Sequence, residues 1–169
     1  IANGNEDITD KTFKIQEDST QLLQRDNGEV INIRLLDKTN IHKNCLQVIN
    51  QYEVSGARDN RYDVTLLVNG LPLVHIELKR RGVPLQEAFN QINRYQRDSF
   101  WAGSGLFEYI QLFVISNGTH TKYYSNTTRW QHINEAGKSD SRRSKKTSNS
   151  FEFTSWWADA NNRPITDLI

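Results

Sequence analysis

The sequence predicts an α/β fold: a mixed β-sheet of four or five strands with at least one helix packed against it. Three observations carry this. Residues 60–79 read as two apolar strands joined by Asn69-Gly70, a dipeptide suited to a two-residue hairpin turn. After Pro84, the residues Leu85, Ala88, Phe89 and Ile92 fall at i, i+3, i+4 and i+7, which is one face of a helix. Leu112-Phe113-Val114-Ile115 is an unbroken apolar run, the pattern of a strand buried on both faces.

The elements follow in chain order. Residues 1–29 are polar and weakly patterned, with Phe13, Ile15, Leu22 and Leu23 as the anchors available to short elements. Residues 30–36 form a short strand through Val30, Ile31, Ile33, Leu35 and Leu36. Residues 37–44 are a loop, residues 45–54 a second β-like run, and residues 55–60 (Ser-Gly-Ala-Arg-Asp-Asn) a turn. The hairpin comes next, then a helix that Pro84 opens, a role proline tolerates well. Gly103-Ser104-Gly105 breaks the chain before the buried strand at 112–115. Asn117-Gly118 turns that strand into another at 121–124. Residues 129–150 are a mobile polar loop, and residues 151–154 a short extended segment leading to Trp156 and Trp157.

Length and composition set the bounds. A chain of 169 residues suits one domain, 1–169, with a hydrophobic core of useful size. Hydrophobic content of 36% is low for a globular protein, so polar loops must be substantial. The net charge of +1 says nothing about nucleic acid, but its distribution does. Arg80 and Arg81 follow Lys79 directly, and Lys138, Arg142, Arg143, Lys145 and Lys146 form a second basic cluster. That cluster can steer DNA phosphates or be a plain solvated loop. Cys45 has no partner for an internal disulfide, which points to a reducing compartment. No apolar run approaches the ~18 residues of a membrane span. The chain lacks methionine and opens in mid-phrase, as an excised piece of a longer polypeptide would.

The chemistry concentrates on the hairpin. Glu77 and Lys79 are two residues apart, so on a strand they share a face, about 6.6 Å apart along the backbone. Asp63 lies on the preceding strand. A divalent cation held by two carboxylates neutralises a scissile phosphate and activates a water. Hard oxygen ligands suit Mg²⁺, with the Leu78 carbonyl as a natural third donor beside Asp63 and Glu77. Lys79 would orient or deprotonate the water, or stabilise the developing charge. The competing reading is an ordinary Glu77–Lys79 salt bridge on a solvated strand. Gln91 and Tyr95, four apart, share a helical face beside the apolar stripe. They can reach the metal site or a DNA phosphate, or simply cap the edge of the core.

These motifs, Asp63, then Glu77-Leu78-Lys79, then Gln91 to Tyr95, resemble the PD-(D/E)xK nuclease superfamily in the branch with a Q-x-x-x-Y motif. The longer stretches 61–65, 69–74, 76–79, 87–92 and 113–118 resemble the N-terminal nuclease domain of the motor subunit of type I restriction enzymes. Residues 151–154 and Trp157 fit the same family. The resemblance implies a restriction-endonuclease-like core, with the site centred on residues 45–125. It implies Mg²⁺ on Asp63 and Glu77, Lys79 as the catalytic lysine, and Gln91, Tyr95, Arg80 and Arg81 in DNA binding or coupling. It further implies cleavage of double-stranded DNA, largely independent of sequence, by a complex whose partners are helicase motor domains of the same polypeptide and methylation and specificity subunits. ATP would be used by the motor, not by residues 1–169. The family also carries an acidic residue upstream of the aspartate, and Glu6, Glu17 and Glu29 are the candidates by type.

Two rival functions remain open on the residues alone. One is a non-catalytic DNA-binding or scaffolding module with a nuclease fold; the other is a recombination or repair nuclease of the same superfamily. Gly137-Lys138-Ser139 imitates the end of a phosphate-binding loop, but His132 stands where that pattern needs glycine. Asn117-Gly118-Thr119 and Asn126-Thr127-Thr128 match glycosylation sequons, and turn chemistry accounts for the first. His75 alternates with Glu77 and is a candidate metal ligand or substrate contact. The four histidines and one cysteine show no zinc spacing.

Overall fold

Eight strands and three helices make up the computed structural model, which describes residues 5–54, 59–100, 105–137 and 151–166. Helix α1, Ile8–Gln16, starts where Asp7 accepts from the Thr9 and Asp10 N–H groups. The Asp10 side chain accepts in turn from the Asp7 N–H, so two otherwise orphaned donors are satisfied reciprocally. Ile8, Lys11 and Ile15 are its buried face, and the Lys11 ammonium meets Glu108 at 2.6 Å. Of the four anchors expected in this region, Ile15 is buried and Phe13, Leu22 and Leu23 are exposed.

Strands β1, Thr20–Gln24, and β2, Val30–Arg34, pair antiparallel as a sheet of their own. The strand expected at 30–36 therefore exists but lies outside the main sheet. Asp37 opens the loop that follows, accepting from the Asn40 and Thr39 N–H groups.

The main sheet has six strands in the order β3-β4-β5-β6-β7-β8, one or two more than the four or five expected. They are β3 Leu46–Val54, β4 Asn60–Val68, β5 Leu71–Leu78, β6 Leu112–Ser116, β7 Thr121–Ser125 and β8 Ser155–Trp156. Only the β5–β6 neighbours run parallel. A parallel pair needs a crossover, and helix α2, Leu85–Tyr95, supplies it. The turn between β4 and β5 has Asn69 at φ 52 and Gly70 at φ 83, as a primed two-residue turn requires.

Leu85, Ala88, Phe89 and Ile92 of α2 bury against Tyr62, Phe113, Ile115 and Tyr124 of the sheet. β6, the apolar run, has its last four residues buried. The opposite sheet face carries Leu66, Val74, Ile76, Leu112 and Val114, which with Trp157 line an apolar cleft of about 240 Å³.

Two expectations need correction. Residues 129–137, assigned to the start of a mobile loop, belong instead to helix α3, Asn126–Gly137. Tertiary bonds hold it: Arg129 donates to Asn93 on α2, and the Trp130 ring nitrogen donates to Asp7. The rest of that loop and its basic cluster lie outside the described residues. Residues 151–153 are a 3₁₀ turn, not an extended segment, because Thr154 donates back to the Phe151 carbonyl. The extended pair follows at Ser155–Trp156.

Candidate active site

Period-2 alternation along β5 sends His75 and Glu77 to the face covered by α2, and both side chains are fully buried. The antiparallel register pairs Val64 with Ile76, so Asp63 stands across from Glu77 one step further along. Asp63 Oδ2 accepts the Leu78 N–H at 2.8 Å. The N–H and C=O of one strand residue point to the same neighbour, so the Leu78 carbonyl also faces the Asp63 side.

Lys79 lies just past the end of β5, where its own N–H donates to the Ser116 carbonyl of β6. Its ammonium donates to Glu77 Oε1 at 2.9 Å and to Gln91 Oε1 at 2.5 Å. The Gln91 amide nitrogen donates to the Tyr95 hydroxyl, which donates at 2.9 Å to the Arg61 carbonyl of β4. Burial, the largest influence, holds the Tyr95 phenol above its ordinary pKa, with Glu77 and Asp63 pushing the same way against the Gln91 bond. The hydroxyl therefore keeps its proton and its role as donor.

Glu77 is thus no member of a solvated surface pair. Its side chain is 0% exposed, and Oε2 has no hydrogen-bond partner. A buried anionic oxygen without a partner is costly unless a cation or donor reaches it. Among the described residues, His, Cys, Asp and Glu nowhere gather in a set of three or more that could hold a metal. A cation here would therefore take the Asp63 and Glu77 carboxylates and main-chain oxygen such as the Leu78 carbonyl. This donor set is all hard oxygen and fits Mg²⁺.

Asp63, Glu77, Leu78, Lys79, Arg80, Gln91 and Tyr95 line one cleft of about 620 Å³. Arg81 is exposed and does not line it. His75, weighed as a ligand, does not line it either: it sits behind Glu77, away from solvent. None of the upstream acidic candidates reaches the cleft. Glu6 pairs with Lys14, Glu17 with Lys38 and Glu29 with Arg25. Arg61, Arg94 and Glu87 line it without having been expected. Spacing held the signal. Arg61 is two residues before Asp63 on one strand, and Glu87 is four before Gln91 on one helix.

Comparison with known proteins points to one family. A family profile described as "Type I restriction enzyme R protein N terminus" matches residues 2–132. The chain is 50% identical over 161 residues to the type I restriction enzyme EcoprrI endonuclease subunit of Escherichia coli, covering 95% of this chain and 46% of that protein. It is 51% identical over 104 residues to the SauCOLORF180P endonuclease subunit of Staphylococcus aureus, covering 62% of this chain and 11% of the relative. The putative MjaIXP endonuclease subunit of Methanocaldococcus jannaschii is 33% identical over 114 residues, with 63% and 11% covered. The chain therefore spans less than half the length of each of these relatives. The matched region includes the hairpin, the crossover helix and every residue of the cleft, and the chain belongs to the family of type I restriction enzyme R protein N termini.

Proposed function

We propose that this chain is the DNA-cleaving part of a type I restriction enzyme, a Mg²⁺-dependent endonuclease domain that hydrolyses phosphodiester bonds of double-stranded DNA without reading sequence. The observation that carries the proposal is the carboxylate pair: Glu77, buried with one oxygen on Lys79, stands across the hairpin from Asp63, and both line the cleft. When bound, Mg²⁺ supplies positive charge at the scissile phosphate and a more acidic water.

The chain's own groups do the rest. Asp63 and Glu77 hold the cation from adjacent strands of a rigid sheet, and the Leu78 carbonyl adds a donor. An ammonium has three N–H groups, and Glu77 and Gln91 take two from Lys79. The third is available to the attacking water or to charge developing on the phosphate. Gln91 and Tyr95 fix Lys79 through a chain of bonds that ends on the β4 backbone. Arg61, Arg80 and Arg94 at the cleft suit phosphates, contacts that position a duplex but carry no sequence information. Site recognition, methylation and ATP-driven translocation would come from specificity and methylation subunits and from motor domains beyond this chain.

The test uses the assembled enzyme with Asp63→Asn. Plasmid linearisation is expected to fall by at least about 10³-fold while ATP hydrolysis stays within twofold of wild type. Chelation should stop cutting in the unsubstituted enzyme, and added Mg²⁺ should restore it. Unchanged cutting by Asp63→Asn would instead make the cleft a scaffold and place the nuclease elsewhere.

A further inference from the structure

The cleft accounts for Asp63, Glu77, Lys79, Gln91 and Tyr95 but leaves one buried polar group unused. His75 is 0% exposed and two residues before Glu77 on the same face of β5. Four aromatic rings enclose its imidazole: Tyr62, Tyr95, Phe100 and Phe113, with centroids 5.5–6.4 Å away and all meeting it edge-on at 75–80°. An apolar cage gives the ring nitrogens no donor or acceptor of its own. What it does is fix the plane of the ring.

The two nitrogens meet different groups. Nδ1 is 3.5 Å from the Thr65 hydroxyl, directly across the β4–β5 register. Nε2 is 3.5 Å from Glu77 Oε2. Neither Nε2 nor Oε2 has a hydrogen-bond partner, and both atoms are buried. Two polar atoms without hydrogen-bond partners therefore face each other 3.5 Å apart, outside the N–H···O range of about 2.7–3.2 Å. With the ring proton on Nε2, Nδ1 accepts from the Thr65 hydroxyl and Nε2 donates to the carboxylate. Each group then has a partner, and a small shift of the Glu77 carboxyl completes the chain.

We infer that His75 is a positioning residue for Glu77, donating from Nε2 to Oε2 and fixing the carboxylate from behind while Lys79 fixes it from the cleft. The inference rests on the proposed reading of Glu77 as a ligand for a divalent cation. Its consequence is that Thr65, His75 and Glu77 act as one relay of orientation from the β4 backbone to the metal site. Partners that orient a ligating carboxylate typically change metal affinity by about 10–100-fold when removed. His75 touches neither the substrate nor the cleft, so its loss acts on cation affinity and leaves the rate at saturating cation largely intact.

The experiment titrates Mn²⁺ alone, followed by electron paramagnetic resonance, into the full-length protein without DNA or nucleotide. Wild type, Glu77→Gln, His75→Phe, His75→Gln and Thr65→Val are compared. The site of interest is the binding lost in Glu77→Gln. His75→Phe fills the same aromatic cage without a donor and is expected to weaken that site by about tenfold or more. His75→Gln offers an amide N–H near the Nε2 position and should recover most of the affinity. Thr65→Val, which removes only the hydroxyl on Nδ1, should give a smaller loss and tests the relay without disturbing the cage. In cleavage assays the half-saturating Mn²⁺ concentration should rise in His75→Phe while the maximal rate recovers. A purely structural histidine would lower the melting midpoint in both His75 variants and leave Mn²⁺ affinity unmoved. Wild-type Mn²⁺ binding in His75→Phe and Thr65→Val, beside a loss in Glu77→Gln, overturns the role of His75 alone. Unchanged binding in Glu77→Gln overturns the cation site and the role of His75 with it.

Discussion

Glu77→Gln is expected to stop DNA cleavage while the protein keeps its fold. Glutamine matches glutamate in size, so the fully buried side chain still fills its place beneath α2. What goes is the negative charge that holds a cation. A bound cation contributes several kcal/mol to the transition state of a phosphodiester hydrolysis, and each 1.36 kcal/mol is tenfold in rate. The expected fall is therefore at least about 10³-fold, with the circular dichroism spectrum unchanged. Stability should change little, because one buried charge is removed while an amide oxygen can still accept from Lys79. A variant that cuts at the wild-type rate rules out Glu77 as a ligand, and one that unfolds makes its role structural.

Lys79→Met has the second large effect, and it differs in kind. Cleavage is expected to fall by about 10²–10⁴-fold, the range for losing a positioned proton-transfer or charge-stabilising group. This time stability falls as well, by about 1–3 kcal/mol, because Glu77 Oε1 loses its donor in a site with no exposure. The double variant Glu77→Gln/Lys79→Met should recover most of that stability and none of the activity. Lys79→Arg should not rescue cutting: a planar guanidinium cannot replace a compact ammonium between the two oxygens of Glu77 and Gln91. Thermal melting of the four proteins beside their cleavage rates checks both halves. Equal stability of Lys79→Met and wild type would show that the Glu77–Lys79 contact contributes nothing to the fold.

The hairpin and the crossover helix were legible because each follows a local rule. Asn69-Gly70 marks a two-residue turn, alternation along β4 and β5 then sets which residues share a face, and the Leu85/Ala88/Phe89/Ile92 stripe has one helical period. These rules also grouped Asp63, Glu77 and Lys79. Helix α1 was hidden because its buried face includes a lysine, and the carboxylate that pairs with it, Glu108, is distant in sequence. Helix α3 reads as loop because its placement rests on Arg129 reaching Asn93 and Trp130 reaching Asp7. Both are long-range contacts with no periodic trace.

Within the cleft, three things depended on tertiary structure. Gln91 and Tyr95 were open to DNA, metal or core roles by spacing, and the fold turns them onto Lys79 and the Arg61 carbonyl. His75 shares a face with Glu77, as alternation requires, yet the aromatic rings that close over it come from four separate elements and exclude it from the cleft. The depth of Glu77 was invisible too, since a Glu-x-Lys triplet reads the same on a solvated strand as beneath a helix.

The most direct measurement is anomalous scattering from crystals of this protein soaked in Mn²⁺. The expected result is a peak in contact with the Asp63 and Glu77 carboxylates and the Leu78 carbonyl, absent from crystals of Glu77→Gln. A saturating soak that leaves this place empty, or a peak that persists in Glu77→Gln, would contradict the metal site on which the proposed cleavage depends.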